Sequence, residues 1–61
     1  MSNTQGFNRI KGQWWLRISK GDGSQWIWEL QNWNLDSYHW GYGYSEAGAR
    51  KLAANRLESL Q

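Results

Sequence analysis

The spacing of large side chains changes character at Ser45, and that change restricts the chain to few architectures. Up to Tyr44, big residues recur at every second position in three runs, 13–19, 25–31 and 37–44, which is the period of a half-buried strand. Beyond Ser45 the period becomes helical. Ala49, Leu52, Ala53, Leu57 and Leu60 fall on one arc, with Lys51, Asn55, Glu58 and Ser59 opposite. Ser45 is a good N-cap, Glu46 suits the positive end of the helix dipole, and Ala, Leu, Arg and Lys carry the helix to about Leu60. Gly21 and Gly23 between the first two runs supply the positive φ of a tight hairpin, and residues 32–36 form a longer turn. The pattern predicts an α+β fold: a three-stranded antiparallel meander packed on one C-terminal helix, β-β-β-α. It forms a single small domain over residues 1–61, with 1–6 a disordered tail.

A domain this short buries only about 60% of the surface its unfolded chain exposes, so the few large side chains must supply the core. Six of the ten aromatic residues are Trp, and Val is absent. An alanine-lined helix lets its backbone approach the sheet while indoles fill the gap. Alternation then puts Trp14, Leu16, Ile18, Trp26, Trp28, Leu30, Tyr38, Trp40, Tyr42 and Tyr44 on the core face. Trp33 and Leu35, in the second turn, either fold under the sheet edge to close the core or stand out as an exposed anchor.

The opposite face holds Gln13, Trp15, Arg17 and Ser19, then Gln25, Ile27, Glu29 and Gln31, then Ser37, His39, Gly41 and Gly43. No second helix covers it, so function belongs there. Arg9, Lys11, Arg17 and Lys20 all precede the first acidic residue, Asp22, and the net charge is +2 with a pI near 9.3. A phosphate backbone suits such a cluster beside Trp15.

Several classes of function are excluded. With no Cys, one His and five dispersed carboxylates, the chain offers no catalytic constellation, no metal site and no cofactor site. Gly41-Tyr42-Gly43-Tyr44 lacks the frame of a phosphate loop. No apolar run approaches the ~20 residues of a membrane span, and residues 1–5 do not read as a signal peptide. A small domain without disulfides fits a reducing, cytoplasmic setting.

The run Gly12-Gln13-Trp14-Trp15-Leu16-Arg17-Ile18 resembles the first-strand signature of AP2-type DNA-binding domains, roughly G-[KR]-[WYF]-x-A-x-I. The β-β-β-α plan, with a glycine-containing third strand leading to an alanine-rich helix, is also similar to the arm-type N-terminal domains of phage and transposon integrases. Trp40-Gly41 followed by Ser45 and Ala49 resembles the family's L-G-x-F-x-[TS]-x-E-E-A run. The likeness spans about residues 7–60. It implies a sheet lying in the major groove of double-stranded DNA, with Arg9, Lys11, Trp15, Arg17, Ser19, Gln25 and Ile27 facing the groove.

The expected function is therefore non-enzymatic nucleic-acid binding in an accessory or regulatory role. Arg9, Lys11, Arg17 and Lys20 neutralise phosphates, Gln13 and Gln25 reach base edges, and Trp15 packs on sugars or a thymine methyl. Four cations bind weakly alone, which points to a second copy or a partner protein. The alternative is a protein-interaction module, an inhibitor or assembly factor, docking through Trp15, Ile27 and the Gly41/Gly43 strip. Glycan stacking on exposed indoles ranks last.

Overall fold

The computed structural model describes residues 6–60 and has four strands, not three, followed by the helix. They are β1 (Asn8–Lys11), β2 (Trp14–Lys20), β3 (Trp26–Asn32), β4 (Ser37–Gly43) and α1 (Glu46–Ser59). The sheet is an antiparallel meander in the order β1-β2-β3-β4. The expected class, α+β with one C-terminal helix, therefore stands, and the strand count is corrected.

The additional strand is β1. Gly12, at φ 57°, supplies the left-handed turn that folds Lys11 back onto Trp14. Arg9 pairs with Trp15 and Lys11 with Trp14, with a register shift between them. Of the expected tail, 1–6, all but Gly6 lies outside the described residues. Gly6 has φ 80° and sits against the Arg17 stem, where an added Cβ would lie 3.0 Å from Arg17 Cδ.

The helix starts where the sequence places it. Ser45 Oγ accepts the Gly48 N–H at 2.9 Å, and Glu46 occupies the first turn. Ala49, Ala53 and Leu57 are its buried residues, whereas Leu52 is exposed, a correction to the expected arc. Helix α1 packs on β2, β3 and β4 and leaves β1 uncovered. A 14-residue helix is only ~21 Å long and ~10 Å wide, too small to roof four strands.

The core is correspondingly compact: Trp14, Leu16, Trp28, Leu30, Ala49, Ala53 and Leu57, flanked by Ile18, Trp26 and Leu60. None of the four aromatic residues of 38–44 belongs to it. Tyr38, Trp40, Tyr42 and Tyr44, expected inside, are exposed. The glycines between them face the helix instead. A Cβ on Gly43 would lie 2.6 Å from Ala49 N, and one on Gly41 would lie 2.6 Å from Trp28 Cζ2. The helix backbone and the Trp28 indole occupy the space that side chains at 41 and 43 would need, and this fixes which side of β4 faces inward.

Candidate docking face

Cross-strand pairing arranges the helix-free face in three rows. Arg9, Trp15, Gln31 and Tyr38 form one, Arg17, Glu29 and Trp40 the next, and Ser19, Ile27 and Tyr42 the third. Partners opposite one another across a ladder share a face, so these side chains form one continuous surface. Phe7 and Trp33 extend it at one end. Their rings meet edge to face at 5.4 Å, and Trp33 meets Trp15 at 5.9 Å. Trp40 and Tyr42 pack edge to face at 5.3 Å on β4.

Four of these aromatic groups are open to solvent, while Phe7 and Trp15 are half-buried. Trp40 is 53% exposed, Tyr42 51%, Tyr38 48% and Trp33 42%. Trp33 thus takes the exposed-anchor position rather than closing the core, and Leu35 beside it is also exposed.

The polar centre is closed on itself. Arg17 Nε donates to Glu29 Oε1 at 2.7 Å and its Nη2 to Oε2 at 2.8 Å, a two-point contact that matches the guanidinium fork to the carboxylate. Tyr38 Oη donates to Glu29 Oε2 at 2.7 Å, and the guanidinium carbon lies 4.5 Å above the Phe7 ring. These hydrogen bonds, Arg17's first, hold the Glu29 carboxyl below its usual range against the opposing effect of burial. The bond to Glu29 likewise raises Arg17. Desolvation, then the bond to Glu29, push the Tyr38 phenol up to about 12.

The nine residues expected to bind nucleic acid are divided by this geometry. Arg9, Trp15, Arg17, Ser19 and Ile27 lie on the open face. Lys11 pairs with core residue Trp14 and lines the cleft between β1 and α1, so it is turned to the helix side. Lys20 pairs with Trp26, its ammonium 5.3 Å from that ring, and also lies on the helix side. Gln13 and Gln25 are in the turns preceding β2 and β3, outside both strands. Gly41 and Gly43, expected as a bare docking strip, face the helix side instead, Gly43 against the Ala49 backbone and Gly41 against the Trp28 indole. His39 also faces inward, its ring 6.1 Å from Trp14 and its Nε2 3.1 Å from Ser37 Oγ.

Four open-face residues were not expected on this surface, Phe7, Tyr38, Trp40 and Tyr42, and a fifth, Trp33, was expected there only as one of two alternatives. For Tyr38, Trp40 and Tyr42 the missing information was the parity of β4. For Trp33 the available signal was a large apolar residue in a turn that has no need of one. Phe7 had no sequence signal. Among the described residues, no three His, Cys, Asp or Glu side chains gather where a metal could bind, and no helix is long and apolar enough to cross a membrane. No family model, curated protein or solved structure matches this chain.

Proposed function

We propose that this chain is a non-enzymatic docking module that binds a partner protein through the open face of its sheet. The carrying observation is the composition of that face: Trp15, Trp33, Tyr38, Trp40 and Tyr42 surround an Arg17–Glu29 pair whose charges already satisfy one another. Trp, Tyr and Arg are the residues most enriched where binding energy concentrates, and charge depletion marks interface centres. Lys is absent from this face, as the two lysines expected there are turned away.

Nucleic-acid binding is the second reading. Arg9, Trp15, Arg17, Ser19 and Ile27 favour it by sharing one surface. With Glu29 occupying Arg17, however, the face carries little net positive charge, whereas duplex affinity depends on phosphate neutralisation. The test captures proteins from an extract of the source cells on immobilised wild-type chain and on Trp40→Ala. A protein retained by the first and lost by the second is the expected result. Tight binding to random-sequence DNA at about 50 mM salt, falling steeply at about 200 mM, would transfer the assignment to the second reading.

A further inference from the structure

The geometry points to a second copy of this chain as the occupant of the open face, two sheets packing face to face about a two-fold axis. The arrangement would be helix–sheet–sheet–helix. This inference rests on the reading of that face as a protein-docking surface, and three observations favour self-association.

First, the domain is a slab. Its principal extents are 33 × 29 × 15 Å, and an ellipse on the two long axes covers roughly 750 Å², close to the ~800 Å² per partner of a standard interface. Second, the open face is rich in exposed aromatic side chains. The single helix lies over the other face of β2–β4, and the open face exposes Trp33, Tyr38, Trp40 and Tyr42, more large aromatic surface than a solvated sheet face needs. A second copy offers a matching flat sheet at the ~10 Å spacing of packed sheets.

Third, the charges permit it. Packing a surface against itself sets like groups near like groups, which a strongly charged face does not tolerate. Here the central guanidinium and carboxylate bind each other and Tyr38 adds a further donor, so the centre dries without an unpaired charge. The remaining cation of the rows, Arg9, lies on edge strand β1 and stays at the rim. Lys11 and Lys20 lie on the helix side, away from the contact.

The experiment measures molar mass by light scattering and sedimentation equilibrium between about 1 and 200 µM. It compares wild type with Trp40→Glu and Tyr42→Glu on the open face and with Leu52→Glu on the exposed side of α1. The expected result is a wild-type dimer that Leu52→Glu preserves. Either open-face variant should weaken it about 30-fold or more, with the far-UV circular dichroism unchanged. A wild-type chain monomeric throughout overturns the self-association, and the capture experiment then decides the docking reading separately. A dimer that survives both open-face variants likewise overturns the self-association proposed here, because association would then run through another surface, and the capture experiment again decides the docking reading. Should Trp40→Glu lose its fold, Tyr42→Glu carries the comparison. Loss of fold in both would refute the exposed placement of β4's aromatic side chains on which the inference depends.

Discussion

Alanine at position 43 separates the two orientations that β4 can take. If the glycines faced solvent, as the size of their neighbours suggests, Gly43→Ala would stabilise the chain by ~0.4–1 kcal/mol, because alanine restricts the unfolded state. In the fold described here the new methyl would stand 2.6 Å from Ala49 N and 2.7 Å from its Cα, with Ala49 Cβ at 3.0 Å. Carbon contacts are comfortable at ~3.5–4.0 Å, so the start of α1 must retreat by about 1 Å. The obstacle is helix backbone, which cannot change rotamer. That retreat loosens Ala49 and Ala53, both fully buried, against Leu30. Overpacking of this kind costs ~1–3 kcal/mol, leaving a net loss of about 1–2 kcal/mol after the entropic gain. A domain of this size has only ~3–9 kcal/mol of stability, and each kcal/mol moves Tm by ~4–8 °C. Thermal unfolding followed by circular dichroism should therefore show Tm lowered by roughly 5–15 °C. Adding Ala49→Gly should recover only part of this, since it removes the 3.0 Å contact and leaves the two shorter ones. A Gly43→Ala chain as stable as wild type, or more stable, would refute the parity of β4 and with it the aromatic docking face.

Trp40→Ala should change stability by under ~1 kcal/mol, whereas Trp28→Ala should cost ~3–5 kcal/mol, most of the total; urea denaturation compares the two. Ser45→Ala removes the acceptor of the Gly48 N–H and should lower stability by ~1 kcal/mol in the same assay. Because the folded state depresses Glu29, its contribution is complete above the unfolded carboxylate pKa of ~4.3 and is lost as pH falls further. Stability should therefore decline in acid, and less steeply in Glu29→Gln. Tyr38 has the opposite sign. Its folded pKa is raised to about 12, so its contribution holds below the unfolded value of ~10 and fades above it. Ultraviolet titration should show a tyrosine ionisation at about 12 in the wild type that is missing in Tyr38→Phe.

The change of hydrophobic period at Ser45, the cap and the two central strands were legible because each rests on local chemistry. Strand β1 was not. Its four residues, Asn8, Arg9, Ile10 and Lys11, are all exposed and include one apolar side chain, so no alternation marks them. What makes them a strand is pairing with β2 across the Gly12 turn, a tertiary effect visible beforehand only as a glycine at a hairpin position.

The orientation of β4 failed for a related reason, and the candidate site followed from it. In the segment Tyr38-His39-Trp40-Gly41-Tyr42-Gly43, placing large residues inward is sound only while the covering layer has room for them. One short helix does not. With Trp14, Trp28, Leu16 and Leu30 already buried beneath α1, the space left near its N-terminus is the depth of a glycine. Small residues on both sides, Ala49 on the helix and Gly43 on the strand, bring the two backbones together, and the Trp28 indole fills the region over Gly41. Once that contact is made, period-two alternation leaves the aromatic side chains of β4 only the outward face. The exposed Tyr38–Trp40–Tyr42 row is thus a consequence of close helix–sheet packing as much as a binding feature. Packing alone would be equally satisfied by polar residues at 38, 40 and 42, and large apolar groups in water confer no folding advantage. Their presence there, around a pre-formed Arg17–Glu29–Tyr38 network, is what the packing leaves unexplained and what a docked partner would account for.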